Sequence, residues 1–239
     1  LVDVVEGLER ALQLIITGDP TLYGIVYRSL LFSGIAIILA ALWGTPVAML
    51  LGLKAFRGKT LVKTLFNSLI GIPTVVLGLV LYLVFSKGGP LGFLGLLYTP
   101  GAVILGEAVL VTPILISITS TAIEAVDPEI LNLARTLGAS ESQASIAVLK
   151  EAVNGVLLSN IASFNRAVAE LGVALLVGGN IAGLTDILTT AISRYTARGE
   201  LDFAIALGII LMGIVFVINA AIIMGRRAKW LLTLGRQPF

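Results

Sequence analysis

The sequence predicts an all-α integral membrane protein, and three observations carry that prediction. Of its 239 residues, 57% are hydrophobic and only 13% are charged, too little polar surface to cover a water-soluble globule. The apolar stretches are long enough to cross a hydrocarbon core of about 30 Å as helices of roughly 20 residues. They are also too evenly apolar for the alternating strands of a barrel, and lipid leaves the backbone no third way to satisfy its polar groups. Cys and His are both absent, which removes disulfides, thiol chemistry, haem ligation and the usual zinc sites. No metal ligand set is expected, and any chemistry must use carboxylates, basic groups or hydroxyls.

Residues 1–17 alternate apolar side chains with Asp3, Glu6, Glu9 and Arg10 at helical spacing and stop at Gly18-Asp19-Pro20. This pattern predicts an amphipathic helix at the membrane interface. Early carboxylates and the lack of a cleavable apolar core argue against a separate signal peptide. Five spans are expected at residues 29–53, 65–85, 101–121, 152–177 and 201–225, in one membrane domain covering 1–239. The first carries Ala36, Ala40, Gly44, Ala48 and Gly52, a small residue every fourth position. Such a stripe lets another helix approach closely, either within the chain or from a second copy. Pro73 and Pro113 interrupt the second and third spans and permit kinks.

Lys54, Arg57, Lys59 and Lys63 group between the first two spans, and Arg226, Arg227, Lys229 and Arg236 follow the last. The positive-inside rule puts both groups in the cytoplasm, which with five spans leaves the N-terminus outside and the C-terminus cytoplasmic. Lys87, Arg194 and Arg198 then lie outside, where the middle of residues 178–200 suits a short helix. Gly178-Gly179-Asn180 reads as a glycine turn or as a set of backbone N–H groups offered to an anion.

Residues 122–151 form a polar island on the cytoplasmic side. Asp127-Pro128-Glu129 is a helix start: an Asp cap, Pro at the first helical position and an acidic first turn. Ile130, Ala134 and Leu137 follow on one face. Gly138 suits a left-handed C-terminal cap, and Ser140-Glu141-Ser142-Gln143 has capping-box form. A helix, a tight glycine turn and a second helix are therefore expected. Arg166 and Glu170 lie four residues apart in the fourth span, on a face with Ala162, Ala174 and Gly178. Ionised groups at that depth need a partner or water, so the pair either stabilises packing or lines an aqueous path. Glu107, in the third span, has no partner nearby in sequence and either meets a polar group on another helix or lines a path.

The island resembles the EAA loop of binding-protein-dependent ABC importer permeases, whose pattern runs E-A-A, three residues, G, nine residues, I-x-L-P. Asn132, Leu133 and Ala134 occupy the triplet, Gly138 falls on the glycine, and Val148 stands at the Ile position. Lys150 and Glu151 replace the final Leu-Pro. Residues 66–114 and the run RAVAELGVALLVGGNI are similar to permeases for tungstate, molybdate and sulfate, and TTAISRYTARGELDFAIALG is most like the tungstate branch. The resemblance implies a five-helix type I ABC importer permease fold in a prokaryotic cell membrane. It further implies a homodimer in lipid, two cytoplasmic ABC ATPase subunits that carry ATP and Mg, and an external oxyanion-binding protein, with no nucleic acid. Coupling to the ATPase would run through Asp127, Pro128, Ile130, Ala134, Arg135, Leu137, Gly138, Ala139 and Ser140. Arg166, Glu170, Glu107 and Pro73 are candidates for the translocation path or its gate. The chain lacks a G-x-x-x-x-G-K-[ST] loop, so the energy source is expected on another polypeptide and no catalytic residue here. A secondary transporter or channel needing no ATPase is the rival class, and five spans without an inverted repeat fit it poorly.

Overall fold

The computed structural model describes residues 4–234, with side chains for residues 6–220. The start of the expected amphipathic helix, including Asp3, and Arg236 of the basic tail lie outside the described residues. So do the side chains of Arg226, Arg227 and Lys229. Among the described residues the regular structure is entirely helical.

The amphipathic segment is a helix, α1 (Val4–Thr17), ending at Gly18 with φ +73°. Asp19 then caps α2 (Pro20–Leu53), its carboxylate accepting the Leu22 N–H at 2.9 Å, with Pro20 in the first turn. The same Asp-Pro pair that stops one helix therefore starts the next, and α2 begins well before residue 29. Its small-residue stripe packs inside the chain, against α5 (Pro100–Glu124). Ala36, Ala40, Gly44 and Ala48 are buried there, and a Cβ at Gly52 would stand 2.5 Å from Ile123. Pro113 sits inside α5, which runs through it without a break.

The second and fourth expected spans are not single helices. Residues 59–85 form α3 (Lys59–Leu69) and α4 (Thr74–Phe85), bent by 100°. Pro73 lacks a donor, disfavours helix at Ile72 before it, and follows Gly71, so the backbone cannot continue. Residues 128–178 form α6 (Pro128–Thr136), α7 (Glu141–Glu151), α8 (Val153–Val168) and α9 (Gly172–Gly178). A 70° bend separates α7 from α8, and residues 169–171 interrupt the path into α9. Glu170 thus lies between helices and not on a continuous helical face.

The expected short helix is α10 (Leu188–Ala197), followed by α11 (Leu201–Leu234). α1 lies along α11, and Ala11 is buried with Leu22, Leu188 and Leu207, which ties α1 to α2, α10 and α11. By length and composition α2, α5 and α11 suffice to cross a membrane, and two bent pairs, α3 with α4 and α7 with α8, pass the same test together.

Close packing of α4 on α9 depends on two glycines. A Cβ at Gly172 would meet Thr74 Oγ1 at 2.7 Å and the Val75 nitrogen at 3.0 Å, and one at Gly78 would meet the Gly172 oxygen at 3.0 Å. Gly172→Val should therefore cost about 1–3 kcal/mol by overpacking, read as a lower unfolding midpoint of the solubilised protein. Gly213→Val, which meets nothing within 4 Å, should leave that midpoint unchanged.

Candidate functional site

The polar island folds as its local signals dictate. Asp127 Oδ1 accepts the Glu129 N–H at 2.9 Å. At the end of α6 the Gly138 N–H reaches the Arg135 oxygen and the Ala139 N–H the Ala134 oxygen, both at 3.0 Å. With Gly138 at φ +86° this is the Schellman arrangement, which only a residue at ease in the left-handed region closes without strain. Ser140 and Gln143 then exchange backbone N–H groups with each other's side chains at 2.8 and 3.3 Å, so α7 starts in a capping box.

The turn is fastened from outside by a contact that caps and periodicity do not announce. Arg135 donates Nε and Nη2 to the two Glu141 oxygens at 2.9 and 2.8 Å. Hydrogen bonding and charge from Arg135 hold the Glu141 carboxyl below its ordinary range. The fastening is present at neutral pH and is lost as pH falls through that lowered value.

Ile130 and Leu131 seat α6 on Ile123, Val148 and Ala152, beside Met49 and Leu53 at the end of α2. Leu137 does not join Ile130 in that seat. The helix ends at Thr136, and Leu137 turns away to stand 78% exposed, with Leu133 61% exposed. The helix–turn–helix therefore rests on α2 and α5 while presenting two leucines outward.

A second cluster forms where the helices break. Arg166 Nη1 donates to Glu170 Oε2 at 2.6 Å, and Glu170 Oε1 accepts the Val173 N–H at 2.9 Å. Thr189 Oγ1 donates to the Glu170 backbone oxygen. One carboxylate thus ties the end of α8 to the start of α9 and holds the interruption in shape. Its side chain is 1% exposed and that of Arg166 34% exposed, so the guanidinium is anchored at one nitrogen and open to the surface.

Glu107 faces the same interruption. Its α5 neighbours one turn either way, Val103 and Val111, pack against Ala174 and Ala167, which flank residues 169–171. Glu107 is fully buried and accepts from Ser33 Oγ of α2 at 2.9 Å, with Oε1 unpartnered. Pro73 adjoins too, since Thr74 lies against Gly172. The four path candidates therefore converge on two adjoining helix breaks.

A third cluster had no signal in sequence. Buried Asp186 receives Arg28 Nη2 at 2.6 Å, Arg194 Nη2 at 2.8 Å and the Gly183 N–H at 2.9 Å. It clamps α2, residues 178–187 and α10. Within this clamp the Gly179 N–H is bound to the Leu175 oxygen and the Gly178 oxygen receives Thr185 Oγ1, so this stretch is a glycine turn. Among the described residues no three acidic side chains converge as metal ligands.

Residues 44–229 match the family model described as binding-protein-dependent transport system inner membrane component. The tungstate uptake system permease protein TupB of Peptoclostridium acidaminophilum is 37% identical over 219 residues, covering 92% of this chain and 96% of that protein. TupB of Campylobacter jejuni is 37% identical with 90% coverage of each chain. The molybdate/tungstate transport system permease protein WtpB of Pyrococcus furiosus is 26% identical over 93% of this chain and 85% of its own. Among solved structures, an inward-facing conformation of the MetNI methionine ABC transporter superposes with TM-score 0.71 at 19% identity, over 88% of this chain and 98% of that one.

The Asp186 clamp is testable by itself. Asp186→Ala leaves two guanidinium groups without their shared partner and should cost about 3–5 kcal/mol, seen as a lower unfolding midpoint. An unchanged midpoint contradicts the clamp.

Proposed function

The chain belongs to the binding-protein-dependent transport system inner membrane component family, and we propose that it is the membrane subunit of an ATP-driven importer of a tetrahedral oxyanion, tungstate first. Molybdate or sulfate is the alternative substrate. The tungstate reading rests on its similarity to the two tungstate permeases over nine-tenths of its length.

The observation that carries the coupling reading is the rigid helix–turn–helix at 128–151, capped at both helix starts and seated on α2 and α5. A short helix held this firmly transmits rigid-body motion, whereas a floppy loop would absorb it. In this proposal α6 docks on a cytoplasmic ATPase subunit that binds ATP and Mg, with Leu133 and Leu137 as its apolar contact. Closure of two such subunits moves α6, and through α2 and α5 the membrane helices follow. The path opens outward to take the anion from an external binding protein, and hydrolysis resets it inward.

Two features support the path and the assembly. Arg166 keeps donors free at the surface while Glu170 fixes its orientation, so the guanidinium is a site of positive potential for a dianion beside adjoining breaks. The break at 70–73 leaves Ile70, Gly71 and Pro73 exposed on the single chain. Lipid does not tolerate exposed irregular backbone, so a second copy or an aqueous path must cover it, in line with a homodimer around the route. Lys54, Arg57, Lys59 and Lys63 at the α6–α7 end favour a cytoplasmic placement of that end and an external N-terminus.

Gly138 provides the test. A Cβ there meets open space, so the penalty of substitution is conformational, about 1–2 kcal/mol for a left-handed residue, and is greatest for a branched side chain. In the complex reconstituted with its ATPase and binding protein, Gly138→Val should uncouple hydrolysis from oxyanion uptake. Gly138→Asn, which tolerates that conformation, should keep most of it. Normal uptake by Gly138→Val overturns the coupling assignment.

A further inference from the structure

We propose that Glu124 is a positioning residue that carries movement of the α6–α7 unit into the broken α3–α4 segment, through a latch to Lys59 and Lys63. The inference rests on the coupling reading above and adds the route by which motion reaches the path.

Glu124 is the last residue of α5, just ahead of the Asp127 cap of α6. Lys59 Nζ stands 2.8 Å from its Oε1 and Lys63 Nζ 2.5 Å from its Oε2. Both carboxylate oxygens are therefore engaged by one face of α3. The three side chains are only about a quarter to a third exposed.

α3 has little else to hold it. It contains no buried residue, and only Val62 and Phe66 rest against Ala48, Leu51 and Ile116. Non-helical joints flank it: residues 54–58, ending in Gly58 at φ +91°, and the 100° break at 70–73. A helix with a joint at each end and a thin apolar contact takes its position from whatever clasps it. Single exposed ion pairs contribute little, but here two share one carboxylate on a helix whose other anchor is that thin apolar contact.

The far end of α3 leads to the path candidates. Beyond the break, Thr74 and Gly78 of α4 lie against Gly172 and Val173 of α9, next to the interruption that Arg166 and Glu170 hold. A displacement of α6 pulls the end of α5, Glu124 draws α3 with it, and the two adjoining breaks are shifted relative to each other. Lysines suit this use, because a flexible point charge stays paired while helices slide and a bidentate fork does not.

The test uses the full complex of permease, ATPase and binding protein in vesicles, reading oxyanion taken up per ATP hydrolysed with tungstate as the probe. E124K and the milder E124Q should lower that ratio, E124K by about tenfold, with the ATPase still bound and hydrolysing. The exchange K63E/E124K keeps two positive charges and one negative charge in the cluster and should recover most of the ratio. An unchanged ratio in E124K overturns the latch. So does failure of the exchange to recover it, or a loss of thermal stability in both E124 variants with the ratio intact, which is the mark of a merely structural contact. If the wild-type chain binds no ATPase, the coupling reading falls and the latch with it, a result separable from the others because it needs no variant.

Discussion

A helix that breaks at membrane depth frees backbone groups that lipid cannot satisfy, and this chain breaks its helices twice along the expected spans. Each freed group needs a partner from the protein or from water. At 169–171 the partner is Glu170, whose carboxylate takes the Val173 N–H while its second oxygen holds Arg166. At 70–73 proline removes one donor outright, and short backbone bonds from Gly71 to Ser68 and from Ile72 to Leu69 take up two more. Glu170 thus answers a backbone need first, and the surface exposure of its partner Arg166 follows from where that break is put.

That placement depends on small residues. Gly172 and Gly78 let α4 and α9 touch, so the two interruptions lie against each other. Gly44, Ala48 and Gly52 let α2 and α5, the pair that supports α6, pack closely. The helices α2, α5, α6 and α7 share apolar contacts at Ile123, Val148 and Met49, whereas α3 joins a thin apolar contact to its two ion pairs. The clamp at Asp186 closes the opposite end of α2, binding it to α10 by buried ion pairs where residues 178–187 turn.

Much of the architecture was legible because it is written in local chemistry. Asp127-Pro128, Gly138 and the Ser140–Gln143 box each act within a few residues, and all three fold as read. Asp19-Pro20 carries the same start signal as Asp127-Pro128, yet reading it only as a stop hid the first turns of α2. The break at 169–171 was hidden for a different reason. No proline marks it, and a Glu four residues after an Arg mimics a continuous helical face. The remaining contacts join residues far apart in sequence: Arg28 to Asp186 across 158 positions, Ser33 to Glu107 across 74, Lys63 to Glu124 across 61. Periodicity carries no information about such pairs, so a lone Glu107 offered a need for a partner without its identity.

The central claim is that the outward face of α6 meets an ATPase, and the absence of cysteine permits a direct measurement. A single cysteine replacing Leu137 or Leu133, tagged with a photoactivated cross-linker in the co-expressed complex, should join this chain covalently to the ATPase subunit. The same label at Lys87, exposed at the opposite end, should not. Capture of the ATPase from Lys87, or an assembled complex in which neither leucine position captures it, would contradict the account.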